Sequence, residues 1–165
     1  MFDGLIRPFR RRVRDAVLAA PISGQVLPLS AVHDRVFSTG MLGDGVAIQP
    51  DGDSVVAPAD AKIEAIFPTG HAVALHTADG LDILIHLGLD TVGLRGRHFM
   101  VHAQPGETVV RGDLLIEFDR VAIEEEGYDM IVPVLVRNAL EFSSLRPTDR
   151  EHVNALDDLI FVRFR

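Results

Sequence analysis

Clusters of turn-forming residues interrupt this chain so often that no long helix fits between them. Gly43-Asp44-Gly45, Pro50-Asp51-Gly52, Pro68-Thr69-Gly70, Asp79-Gly80, Pro105-Gly106 and Arg111-Gly112-Asp113 each set a stop. Glycine accepts positive φ there, proline presets φ, and aspartate bonds its own backbone. Between the stops lie runs rich in valine, isoleucine and leucine, over 45–49, 62–67, 71–76, 81–87, 114–118 and 130–136. None is long enough for the crossover helix, roughly 10–12 residues, that parallel strands need, so antiparallel pairing is predicted. The expected fold is all-β: an antiparallel sandwich or barrel-like domain with one or two short helices, one of them over 119–126.

Composition narrows the chemistry. The 165 residues are 47% hydrophobic and 24% charged, which suits one globular domain with a full core. Cysteine is absent, which removes a disulfide framework, a thiolate metal site and a cysteine nucleophile. Lys62 is the single lysine, so a lysine-attached cofactor has one position available. The net charge of −8 is unevenly spread. Residues 1–19 hold Arg7, Arg10, Arg11, Arg12 and Arg14 against Asp3 and Asp15, with Phe2, Leu5, Ile6, Phe9 and Val13 at near-helical spacing. They read as a basic amphipathic or flexible tail, suited to peripheral contact with an anionic membrane face, ahead of a domain over 20–165. The body that follows is acidic. It lacks the basic stripe of a nucleic-acid groove and favours basic protein partners. No apolar run approaches the roughly 18 residues of a spanning helix and the start has no secretory pattern, so a soluble, cytoplasmic chain is expected.

The segment with chemical content runs from Thr69 to Asp90. Asp79-Gly80 between two apolar runs predicts a hairpin with a two-residue turn. In that register Val73 faces His86, and His71 lies diagonally from His86 on the same surface, about 7–8 Å away at the backbone. His76 pairs with Ile83 and turns to the other face, and Asp82 points away from His86. Two facing imidazoles suit a metal site completed by a further ligand, acid–base work, or a nucleophilic histidine whose neighbour holds the transferred group. They also suit an ordinary packed hairpin. Thr69 lies two residues before His71, where its hydroxyl can select the nitrogen that carries the proton. No HExxH, GxxxxGK[ST] or helix-opening GxGxxG occurs. His98 and His102 read as strand or loop residues, and His33 and His152 carry no role alone.

Several stretches together resemble a known family. They are Ala20-Pro21-Ile22-Ser23-Gly24, Val36-Phe37, Gly43-Asp44-Gly45-Val46-Ala47-Ile48, Val56-Ala57-Pro58 and Ile66-Phe67-Pro68-Thr69-Gly70-His71-Ala72. Ile85-His86-Leu87-Gly88-Leu89-Asp90-Thr91-Val92, Gly112-Asp113, Ile116-Glu117-Phe118-Asp119 and Pro133-Val134 continue the match. The chain resembles the glucose-family enzyme IIA of the bacterial phosphoenolpyruvate-dependent sugar phosphotransferase system over roughly 20–140. That resemblance implies a cytoplasmic, stand-alone phosphocarrier. His86 would accept the phosphoryl group from the histidine-containing phosphocarrier protein and pass it to a IIB domain. His71 would hydrogen-bond the phosphate, and Thr69 would orient His71. Asp34 and Asp90 match acidic positions that meet arginine on the donor, and Phe37, Phe67, Val73, Leu84, Leu87 and Val92 are the expected apolar collar. Regulatory targets are a further implied class of partner. No cofactor is needed, although in some members the two histidines, here His71 and His86, supply ligands of a zinc shared with a partner. The collar has fewer aromatic residues than is usual, and Gly70 stands where asparagine is common.

Two readings compete with it. One is a zinc hydrolase using His71 and His86 with Asp82 or Asp90. The other is a lipoyl- or biotinyl-type carrier, which needs Lys62 at an exposed hairpin tip.

Overall fold

The computed structural model describes residues 15–165. The chain begins with β1 (Asp15–Ala19), β2 (Gly24–Pro28), the short helix α1 (Arg35–Ser38), β3 (Asp44–Pro50), β4 (Ser54–Val56) and β5 (Ala61–Ile66). It continues with β6 (Ala72–Thr77), β7 (Asp82–His86), β8 (Phe99–Val101), β9 (Thr108–Val109), β10 (Leu114–Phe118) and α2 (Arg120–Glu125). β11 (Val132–Val136), β12 (Ser144–Pro147), β13 (His152–Val153) and β14 (Asp158–Arg163) complete it. All pairings are antiparallel, as the turn spacing predicted. An eight-stranded sheet runs β13-β2-β3-β11-β7-β6-β5-β9, and two three-stranded sheets run β1-β14-β12 and β4-β10-β8. The helix expected over 119–126 is α2, with the Asp119 carboxylate capping the Ala122 amide at 3.1 Å.

One boundary differs from the sequence reading. β1 pairs along its length with β14, so the folded unit starts by Asp15 and not at Ala20. The basic tail proper, residues 1–14, lies outside the described residues. At the other end β14 is the central strand of its sheet, so the C-terminal segment is integral to the sandwich.

The larger core lies between the sheets and holds Leu18, Ile48, Ile63, Val73, Leu75, Ile83, Ile85, Leu115, Ile116, Val134 and Ile160. A second, smaller cluster covers the opposite face of the eight-stranded sheet. There Leu29, Val32 and Phe37, from the segment containing α1, pack on Ala47, Ala72, Ala74, Leu84 and Leu135. The sheet is therefore covered on both faces at its centre, which is why β11 (VPVLV) is apolar at every position and wholly buried.

The β6–β7 hairpin forms, but its register is one residue away from the predicted one. His86 pairs with Ala72, Val73 with Ile85 and His76 with Asp82. The loop has three residues, Ala78-Asp79-Gly80. Gly80 has φ +94°, and Thr77 closes the loop through its amide to the Leu81 carbonyl (2.9 Å) and its Oγ1 to the Leu81 amide (3.0 Å). Asp79 does not take the positive φ that the two-residue turn demands. A one-residue slip exchanges faces. Val73 enters the inter-sheet core and His76 joins the face that carries His86, while Asp82, four residues before His86 on the same strand, shares that face in either register.

Candidate active site

His86 is the last residue of β7 and projects from the face covered by α1. The chain then turns sharply. Gly88 has φ +80°, and a Cβ there would lie 2.6 Å from Thr91 Cγ2 and 2.9 Å from the Asp129 carbonyl oxygen, so only glycine fits. Three bonds hold this loop: Gly88 N–H to the Ile131 carbonyl (3.1 Å), Leu89 N–H to the Asp129 carbonyl (2.8 Å) and Thr91 Oγ1 to the Leu87 carbonyl (2.5 Å). The outcome is a fixed Gly88 carbonyl that accepts from His86 Nδ1 at 2.7 Å. A carbonyl can only accept, so Nδ1 carries the proton and Nε2 keeps its lone pair.

His71 stands one residue before β6, after a tight turn closed by Gly70 N–H to the Phe67 carbonyl (2.7 Å). Beyond the paired strand, alternation no longer dictates side-chain direction. The His71 ring lies 5.1 Å from the His86 ring at an interplanar angle of 74°. The predicted proximity of the two histidines therefore holds, although the diagonal register that predicted it does not. Thr69 Oγ1 contacts His71 Nδ1 in a hydrogen bond, as expected. Phe67 stacks at 5.4 Å from His71, and Phe37 at 5.0 Å from His86. Gly70 has φ +72°, and a Cβ there would press on Val101 and Phe99. That left-handed φ is one that glycine and asparagine adopt most readily, in keeping with asparagine being common at this position in the family that the sequence resembles.

Burial lowers the affinity of both rings for a second proton. His71 is held below the ordinary histidine range by desolvation first and by the neighbouring His86 second. His86 is also lowered, with desolvation the largest cause, opposed by the Gly88 carbonyl and by Asp34 and Asp90. Neutral imidazoles are thus favoured, and His86 Nε2 is a free nucleophile.

A cavity of about 440 Å³ has His86 in its lining. Asp34, Asp90, Phe37, Phe67, Leu84 and Val92 line it as expected. Asp34 also caps α1, accepting from the Val36 amide at 2.9 Å, which fixes Phe37 over His86. Val73 and Leu87 were expected in the collar but are fully buried in the inter-sheet core, Val73 as a consequence of the register and Leu87 because the residue next to His86 turns to the opposite side. The sequence reading missed Val36, Leu42, Ala65, Ala74 and Arg137, which also line the cavity. Val36 was within reach of inspection, since it flanks Phe37. Arg137 comes from a distant strand end and left no local signal.

The hydrolase reading finds no third ligand. Among the described residues, the group able to gather three metal-ligand atoms is Glu64, His76 and Asp82, within 4.8 Å of one another and excluding both active-site histidines. Asp82, expected to point away from His86, shares its face but bonds His76 Nδ1 at 2.6 Å. Lys62 is mid-strand in β5, not at a hairpin tip, so the lipoyl-type carrier fails. His98, His102 and His152 bond Glu126, Glu117 and Asp51 on the surface, away from the cavity.

Comparison with known proteins fits this geometry. The sequence profile of the family described as phosphoenolpyruvate-dependent sugar phosphotransferase system, EIIA 1, matches residues 16–142. The chain belongs to that EIIA family. It is 38% identical to the glucose-specific EIIA component of Oceanobacillus iheyensis, covering 84% of each chain. It is 42% identical over 143 residues to the beta-glucoside-specific EIIBCA component of Dickeya chrysanthemi, where it spans 23% of that longer protein. The solved glucose permease IIA from Mycoplasma capricolum superposes with a TM-score of 0.82 at 32% identity, over 90% of this chain and 96% of that one. The sandwich fold, the family and a phosphocarrier role in the phosphotransferase system follow, and the zinc hydrolase finds no support. No helix of the described residues is long and apolar enough to cross a membrane.

Proposed function

We propose that His86 Nε2 accepts a phosphoryl group from the histidine-containing phosphocarrier protein and hands it to a IIB domain during sugar uptake. The observation that carries this is the His86 Nδ1–Gly88 carbonyl bond, which leaves Nε2 unprotonated on a ring that lines the cavity. In the transfer the Nε2 lone pair forms the new N–P bond while the P–N bond to the donor imidazole breaks, its electron pair returning to the donor ring. Nδ1 keeps its proton on the Gly88 carbonyl, so the phosphorylated ring stays cationic and remains a good leaving group for the next acceptor.

His71 stabilises the phosphoryl oxygens. For its Nε2 to donate, Nδ1 must accept, and the Thr69 hydroxyl is placed to donate to it. Asp34 and Asp90 at the rim favour a basic donor surface. The fused beta-glucoside-specific EIIBCA relative supports a IIB domain as acceptor. Transfer needs no cofactor. His71 and His86 offer two of the four ligands zinc takes, so any zinc would need partner-supplied ligands.

The test is label transfer from radiolabelled phosphoenolpyruvate through enzyme I and the phosphocarrier. Wild type should gain acid-labile label, His86→Gln should take none, and His71→Gln should load but pass the label on poorly. Absence of label on wild type, under conditions that load a control IIA, rejects the proposal.

A further inference from the structure

The cavity in front of His86 is lined by two carboxylates, Asp34 and Asp90, and by one cationic side chain, Arg137. A phosphoryl group on Nε2 adds further negative charge inside a largely apolar wall formed by Val36, Phe37, Leu84 and Val92. Charge placed in such surroundings needs a counter-charge, and one imidazole donor from His71 is a small one. Asp34 and Asp90 make the need greater.

Arg137 follows the end of β11, and its backbone is held firmly. Its amide donates to the Asp82 carbonyl at 2.7 Å, and the next residue, Asn138, accepts from the Asp82 amide (2.9 Å) and donates to the Gly80 carbonyl (3.0 Å). Gly43 presses on the same stretch, since a Cβ there would lie 2.9 Å from Arg137 Cα. The side chain, by contrast, is uncommitted: exposed, with no ion pair or hydrogen bond among the described residues. It borders both the His86 cavity and a neighbouring depression lined by Glu64 and Asp82, yet pairs with neither carboxylate. Most other described arginines do have partners, as Arg97 has Glu126, Arg150 has Asp157 and Arg111 has the Leu156 carbonyl.

We propose that Arg137 is a phosphoryl-binding residue: its guanidinium pairs with the oxygens of the group on His86, stabilising the phosphorylated form and the transfer transition state. A rigid fork of donors matches phosphoryl oxygens, stays charged at every working pH and moves no proton in the step. The N–P bond forms and breaks at His86 as before, and Arg137 acts on charge alone. This rests on the phosphocarrier reading of His86.

The experiment compares wild type with Arg137→Ala and Arg137→Lys in two readouts. The first is the steady-state rate of transfer against donor concentration. Loss of one charged donor is expected to lower the maximal rate of Arg137→Ala by roughly 10–100-fold, with Arg137→Lys between it and wild type. The second is a ³¹P NMR titration of the phosphohistidine, in which Arg137→Ala should move the phosphoryl midpoint upward. An arginine that merely repelled a basic donor would, when removed, lower KM and leave both the maximal rate and the ³¹P midpoint unchanged. That pattern, or full wild-type behaviour of Arg137→Ala, overturns the assignment. If wild type itself takes no label beside a loaded control, the phosphocarrier reading fails and the Arg137 assignment falls with it. Loaded wild type with an indifferent Arg137→Ala rejects the Arg137 assignment alone.

Discussion

The β6–β7 hairpin presents two faces that use the same backbone for opposite purposes. On one, Val73, Leu75, Ile83 and Ile85 fill the space between sheets and are essentially inaccessible. On the other, Ala72, Ala74 and Leu84 leave a shallow apolar floor beside His86, roofed partly by Phe37 and open as a cavity. Large aliphatics close one face, while small residues leave room on the other. The difference teaches that His86 sits where packing is incomplete, and that the closed face is what holds its strand still.

Truncating adjacent residues of β7 should separate the two faces. Ile85→Ala leaves a cavity in the close-packed core and is expected to cost about 2–5 kcal/mol, read as a fall in the denaturation midpoint, with label per folded molecule retained. Leu84→Ala removes similar volume from a wall that already meets solvent, so its stability cost should be smaller and its loss of transfer rate larger. Equal stability costs and equal transfer rates in both variants would show that the faces do not differ.

A second break lies in the loop that positions His86. Gly88→Ala forces a positive φ on alanine and collides with Thr91 and the Asp129 carbonyl. A loss of more than about 1 kcal/mol is expected. Slower loading of His86 should accompany it, because the carbonyl that fixes Nδ1–H moves. ¹⁵N spectra of the His86 ring would report the loss of a single tautomer.

Thr69→Val sharpens the roles of the two histidines. It keeps shape and removes the hydroxyl that selects the His71 tautomer. Loading should persist, with onward transfer slower by about 10-fold at most, consistent with a hydrogen bond worth about 1 kcal/mol. Unchanged onward transfer would remove Thr69 from the site.

The smallest effect is a pH dependence. Both active-site histidines bind protons more weakly in the folded chain than in the unfolded one. Their contribution to stability is therefore complete above the unfolded value, about 6.5, and declines as pH falls through the folded value. Denaturant melts of wild type and His86→Gln should differ in slope on acidification below about pH 6.5, with wild type losing more. Loading should fall over the same range as Nε2 becomes protonated. Parallel melts at every pH would mean that burial of His86 does not disfavour its charge.

Much of the site was legible because it is local. Thr69, His71 and His86 belong to one hairpin, whereas Asp34, Phe37, Asp90 and Val92 were expected from the family resemblance alone and lie on connections that flank the site. Leu87 was misplaced although it is the chain neighbour of His86 and so turns away from it in either register, whereas Val73 was misplaced by the turn. Asp-Gly fits both a two-residue turn and a three-residue loop, and the choice between them exchanges every side chain on the strand. Arg137 could not be read at all, since the sheet order brings the end of β11 beside β7 across fifty intervening residues.

The sequence by itself determined an antiparallel β domain and the existence of its central hairpin, whereas its two neighbouring histidines were singled out with a register that does not form. The domain and the hairpin depend on positive-φ positions, short apolar runs and spacing, all of which act within a few residues. Tertiary structure decided the register, because only the inter-sheet core distinguishes the bulky set of Val73, Leu75, Ile83 and Ile85 from the slim set of Ala72 and Ala74. It also decided which nitrogen of His86 is free, because that depends on a Gly88 carbonyl pinned by Ile131 and Asp129, residues from another part of the chain.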